Sequence, residues 1–188
     1  MRAAIVIFVL STLALPASSQ KMDTTIRLSV QGGIGWTHYN NNLVVGHSSV
    51  HNNFWGGSLR IMWEPEHRLS IGIETGYYKL YDVTLDPGDV GNAELAVIPV
   101  MANIRMKIVK GLFITGGTGA AFLLSAVHTP GNPVTESTVN SYSNAQVSIL
   151  YLFKLTEQFG IGSEAKVMWI DKTNDSFYSL QAIASYRF

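Results

Sequence analysis

Counting back in twos from Phe188 gives Tyr186, Ala184, Ala182, Leu180 and Tyr178, with Arg187, Ser185, Ile183, Gln181 and Ser179 between them. One face is apolar with aromatic ends, and the other is mostly polar. A two-residue period marks a strand between two different surroundings. Upstream, Ile26, Leu28, Val30, Ile34 and Trp36 alternate with Arg27, Ser29, Gln31, Gly33 and Gly35. Trp55, Leu59, Ile61 and Trp63 alternate with Gly56, Ser58, Arg60, Met62 and Glu64. Leu69, Ile71, Ile73, Thr75, Tyr77 and Tyr81 oppose Ser70, Gly72, Glu74, Gly76 and Tyr78. Segments 96–106, 112–124, 145–153 and 159–169 repeat the pattern. No window carries a sustained 3.6-residue stripe, so the pattern predicts eight strands and no helix. Pro99 cannot donate to a ladder, and a local irregularity is expected there.

The connections sort by length. Those at 65–68, 109–111 and 156–158 are short; those at 38–53, 82–91 and 126–140 are long, and 171–175 is intermediate. Strands of about ten to fourteen residues can cross a bilayer at the usual tilt, and short turns on one side with long loops on the other suit a transmembrane barrel. The ring positions agree. On the apolar face Trp36, Trp55, Tyr77, Tyr81, Phe122, Trp169 and Tyr178 fall at the loop-side ends, and Trp63, Phe153, Phe159, Tyr186 and Phe188 at the turn-side ends. Two aromatic girdles around an aliphatic band match the two membrane interfaces. Strand charges share the other parity, Lys79 excepted. A soluble sandwich would turn such charges outward and keep its aromatics central. The predicted fold is an all-β, eight-stranded antiparallel up-and-down transmembrane barrel.

Composition adds location and exclusions. Arg2, the apolar stretch 3–15 and the small residues Ala17-Ser18-Ser19 read as a signal peptide over 1–19, leaving 20–188 as one barrel domain. Cysteine is absent, so no disulfide or thiolate metal ligand is available. Thirteen basic and thirteen acidic residues leave a formal net charge of zero, without the basic footprint that nucleic acid requires.

The terminal Tyr186-Arg187-Phe188, the eight alternating segments and Ile98-Pro99-Val100 in the fourth resemble the small outer-membrane barrels of the OmpX and OmpA-barrel type, in their stand-alone form. The resemblance covers about residues 24–188. It implies residence in the outer membrane of a Gram-negative bacterium, contact with outer-membrane lipid and lipopolysaccharide, and a terminal aromatic presented to the barrel-assembly machinery. No motif in the loops points to a particular adhesin or receptor.

An eight-stranded barrel has an interior that side chains fill. Arg60, Glu74, Glu164 and Lys166 are expected to meet there with Ser58, Ser148, Gln146 and Asn103, as a paired network rather than a catalytic or conducting one. Gly33, Gly72, Gly117 and Gly162 make room for longer neighbours. His38, His47, His51, His67 and His128 are placed in loops or turns, and the spacing of His47 and His51 lacks the helix a metal pair would need. A lipid-modifying barrel enzyme would need Ser and His together on the outward face, where the sequence offers Ser163 and no histidine. No catalytic, cofactor-binding or metal residue is assigned, and no cofactor is expected. The expected function is a non-enzymatic integral outer-membrane protein, structural or anchoring, with extracellular loops for surface interactions. The alternatives are a small-conductance porin-like channel and a lipid A-modifying enzyme.

Overall fold

A computed structural model describes residues 27–40, 49–65, 68–84, 92–128 and 135–188. The leader over 1–19, Ile26, His47 and His67 lie outside those residues. The strands are β1 (Leu28–Asn40), β2 (Ser49–His51), β3 (Asn53–Trp63), β4 (Leu69–Thr84), β5 (Asn92–Val109), β6 (Leu112–His128), β7 (Thr135–Lys154), β8 (Phe159–Ile170) and β9 (Asp175–Arg187). All pairings are antiparallel, and β4–β5 together with β1–β9 close the sheet on itself. β2 pairs with the far end of β4 in line with β3. The barrel is therefore eight-stranded, as the alternation predicts.

Parity decides which side chains go in. Arg60, Glu74, Arg105, Glu164 and Lys166 are buried, while Ile34, Leu59, Ile73, Ile104, Ile149 and Leu180 are exposed on the outer face. Both aromatic rings form outside: Trp36 is paired with Trp55 at the loop side, and Phe159 with Tyr186 at the turn side. The turn between β5 and β6 needs only Lys110 and Gly111, with Gly111 at φ 83°, a left-handed conformation that a residue without Cβ adopts freely.

Three expectations change. The strands run past their predicted ends: 82–84, 126–128 and 135–140 are strand rather than loop. Cross-strand pairing with β5 and β6 carries these polar stretches outward as a sheet, which alternation of apolar residues could not announce. Tyr81 is not on the outer face. A bulge between Lys79 and Tyr81 adds one residue and reverses parity, so Tyr81 opposes buried Leu95 and packs on the interior cluster. His38, His51 and His128 lie in β1, β2 and β6, not in loops, and His38 stacks on Trp36 with ring centroids 5.7 Å apart. At Pro99 the irregularity is mild: pairing with β4 lapses between Val100 and Val97 and resumes in the same register.

Candidate functional site

The interior divides into three levels. At the middle, β3, β4, β5, β7 and β8 each send in a polar chain from an inward parity position. Glu74 is the hub: Arg60 Nε and Nη2 donate to its Oε2 at 2.9 and 2.7 Å, Asn103 Nδ2 at 2.8 Å and Gln146 Nε2 at 2.9 Å, while Lys166 Nζ donates to Oε1. Arg60 Nη2 and the Ser148 hydroxyl both donate to Glu164 Oε1 at 2.6 Å. Two cations and two carboxylates balance at this level, so each charge of the middle network is paired. The sequence-expected members converge, except Ser58, which instead donates to Gln181 Oε1 at 2.7 Å. Gln181 itself donates to the Tyr78 hydroxyl at 3.2 Å and was not anticipated, although its inward parity was legible.

The expected role of the inward glycines divides in two. A Cβ at Gly117 would sit 1.9 Å from Asn103 Oδ1, and one at Gly33 would sit 2.5 Å from Gln181 Oε1, so both leave room for network side chains. At Gly72 and Gly162 the nearest obstacle is the backbone carbonyl of the next strand, Ile61 at 2.1 Å and Tyr151 at 1.9 Å. These two serve close strand approach, and Gly72 also leaves room for Met62 Sδ, 2.5 Å from where its Cβ would sit.

The turn-side level is a second charge cluster that sequence reasoning missed. Glu64, just after β3, accepts from Ser29 at 2.7 Å, from Arg187 Nε and Nη2 at 3.0 and 2.5 Å, and from Arg105 Nη2. It thereby ties β1, β5 and β9 together across the barrel mouth.

The loop-side level is apolar. Tyr39, Tyr78, Leu80, Leu95, Val97, Met101, Ala121, Leu123, Met168, Ile170 and Phe177 form one buried cluster inside the ring of strands. Tyr78 and Phe177 pack with centroids 4.8 Å apart. The signal was present at Val97, Met101 and Met168, apolar residues on an otherwise polar parity. Beyond this plug the Tyr39 hydroxyl donates to Asp175 Oδ2 at 2.5 Å. Burial first, and then the Asp175 carboxylate, push the Tyr39 phenol well above its ordinary range.

Outside the barrel, β6 and β7 continue as a hairpin. β8 pairs with β7 only from Ala145 onward, so residues 135–140 have β6 on one side and no strand on the other among the described residues. All six are exposed. At the base of this hairpin, Asn144 Nδ2 donates to the carbonyls of Gly119 and Ser141 at 3.2 and 2.9 Å, and its Oδ1 accepts from the backbone of Asp171 at 3.2 Å. These bonds bind the bulge between Gly119 and Ala121 to the β8–β9 turn.

Ser163 is exposed on the outer face. His38 shares that face, but Ser163 lies opposite Ala182 and His38 opposite Tyr178, four residues along β9. At about 3.3 Å per residue the offset along the strand alone is roughly 13 Å, and β9 also lies between their two strands, too far for a hydroxyl–imidazole hydrogen bond. Among the described residues, no three His, Asp or Glu side chains are grouped to hold a metal ion.

No protein-family model and no curated protein matches the chain. Solved structures do match in fold. The Yersinia pestis attachment invasion locus protein Ail superposes with a TM-score of 0.59 at 15% identity, over 87% of this chain and 99% of that one. Neisserial surface protein A superposes with a TM-score of 0.57 at 13% identity, over 86% and 97%. A major outer membrane protein of Thermus thermophilus gives 0.61 at 13% identity, over 87% and 100%. The fold is therefore that of the small outer-membrane β-barrels.

Proposed function

We propose that this protein is an integral outer-membrane barrel of a Gram-negative bacterium, non-enzymatic and closed, which anchors a sheet outside the membrane as a contact surface. The observation that carries the reading is the polarity of the barrel. Large apolar side chains cover its outside between two aromatic rings, while five charged residues are buried within. A soluble monomer rarely exposes an apolar patch beyond a few hundred Å². A bilayer removes that cost.

On this reading lipid and lipopolysaccharide surround the barrel. The terminal Tyr186 and Phe188 rings, 5.0 Å apart, are the feature offered to the assembly machinery. The signal peptide over 1–19 belongs to the same proposal. The apolar plug supports a sealed lumen over a channel, because an ion crossing it would lose hydration without gaining a partner. Among the described residues, the edge at 135–140, with Val139 exposed on it and Tyr142 near it, is a surface open to an external partner. With no strand paired to its outer side among the described residues, this edge suits an added strand.

Cell fractionation with detergent gels tests the reading. Recovery in the outer-membrane fraction and heat-modifiable migration are expected, with no unitary steps in planar-bilayer recording. Recovery as a soluble periplasmic protein would overturn it.

A further inference from the structure

We propose that the turn-side half of the lumen binds a small monovalent anion of the chloride class on Arg105 and Thr115. Arg105 is 1% exposed, yet only its Nη2 has a partner, Glu64. Its Nε and Nη1 are buried without one. Its guanidinium carbon lies 4.9 Å from the Phe113 ring centroid. In register, Arg105 faces Thr115 on β6 and Ser70 on β4, both inward and buried. The Thr115 hydroxyl is fully buried and also without a partner. An arginine with free donors and two hydroxyl residues thus stand at one level of three adjacent strands and share the lumen face.

Charge and hydrogen-bond direction select the ligand. Among the described residues, the buried cations are Arg60, Arg105 and Lys166, and the buried carboxylates are Glu74 and Glu164. The middle network uses both carboxylates against Arg60 and Lys166. Arg105 must share the partly exposed Glu64 with Arg187. One buried positive charge is therefore under-compensated, a state that costs several kcal/mol unless an anion or water answers it. Both unpaired Arg105 atoms can only donate, and a water accepting from them would need its own acceptors. The Thr115 and Ser70 hydroxyls can accept from such a water, but a neutral water leaves the positive charge uncompensated. A halide accepts from all sides and supplies the missing charge. It would enter from the turn side, since the apolar cluster closes the other end.

Bromide tests the site. The refolded barrel is crystallised with sodium bromide in place of chloride, and its unfolding is followed in chloride and in gluconate at equal ionic strength. A bromide anomalous peak touching Arg105 and Thr115, with an unfolding midpoint higher in chloride, is expected. Thr115→Val keeps the arginine and its Glu64 bond, and should lose the peak and at least half of the chloride shift. Arg105→Lys should abolish both. Water density alone at Arg105, a peak only at other places, or equal midpoints in the two salts would each overturn the proposal.

Discussion

Replacing Glu74 with glutamine is the sharpest probe of the interior. The side chain keeps its size, and its carbonyl oxygen can remain where Arg60, Asn103 and Gln146 donate. Its amide then faces Lys166, which loses its carboxylate acceptor and keeps the Tyr78 hydroxyl at 3.2 Å. The charge is also gone. Arg60 and Lys166, 3% and 1% exposed at their side chains, are left with Glu164 alone. At an effective dielectric near 20, each attraction to Glu74 at hydrogen-bond range is worth about 4 kcal/mol gross. Sparing the carboxylate its desolvation returns several kcal/mol of that. The net loss on breaking a buried pair from one side is roughly 3–5 kcal/mol. That is a shift of about 10²- to 10⁴-fold in the unfolding equilibrium constant.

Urea unfolding in lipid vesicles, approached from both the folded and unfolded sides and read by tryptophan fluorescence, measures it. The four tryptophans Trp36, Trp55, Trp63 and Trp169 all lie on the outer face and leave the lipid on unfolding. The second arm is the double variant Glu74→Gln/Lys166→Met, which leaves the balanced pair Arg60–Glu164 at 2.6 Å. It should recover much of the loss, with a coupling energy of about 2–3 kcal/mol, at the upper end for contacting residues. A single-variant cost below about 1 kcal/mol, or a double variant no more stable than the single, would refute a charge-balanced network.

Other perturbations separate the levels of the barrel. Phe177→Ala in the apolar plug should cost roughly 3–5 kcal/mol in the same unfolding assay, as for a buried aromatic elsewhere; a cost near zero would mean the loop-side interior is not packed. Gly35→Ala places a Cβ 2.0 Å from the Leu180 carbonyl oxygen and should abolish the heat-modifiable folded band. Gly116→Ala meets nothing within 4 Å and should be neutral or stabilising by about 0.4–1 kcal/mol. Equal folding yields for the two would contradict the register. Alkaline unfolding should involve Tyr39. Its folded phenol is held above the ordinary range by burial and Asp175, so its contribution is complete below about pH 10 and is lost as pH rises through its folded value. Tyr39→Phe should flatten the fall in stability above that pH. A residual fall is expected from Tyr81, raised by burial and Asp175, and from Lys79, where burial pushes downward but Asp82 and Glu94 outweigh it.

What the sequence made legible follows from where physics is local. Alternation at 28–36 or 145–153 reflects two environments that every residue in the strand experiences, so parity could be read without knowing any partner. The middle network was legible for the same reason: Arg60, Glu74, Asn103, Gln146, Glu164 and Lys166 all stand on polar parity. Ser58 shares that parity but bonds to Gln181, a choice made by register across the barrel. Glu64 escaped notice because Ser29, Arg105 and Arg187 reach it from strands far apart in the chain. The bulge beside Lys79 and the strand over 135–140 are decided by pairing with a neighbour, and neither has an apolar period of its own.

The same distinction separates the outer sheet from the barrel below it. Inside the membrane, lipid fixes one face and lumen packing the other, and both constrain residue type. The stretch Thr135-Glu136-Ser137-Thr138-Val139-Asn140 is bound on one edge by β6 and exposed on both faces. Its position is maintained from below, by Asn144 across the Gly119 bulge and by the plug around Phe177 and Leu123. Its side chains therefore need not hold the barrel together and can change without unfolding it, which is the condition for a rigid scaffold to present a variable contact surface. Replacing Val139 by Lys should accordingly leave barrel stability within about 0.5 kcal/mol. If the edge accepts a partner strand, the same change should weaken that contact, because a charge on an exposed edge opposes strand addition. A loss of barrel stability comparable with Phe177→Ala would show instead that the outer sheet and the barrel fold as one unit.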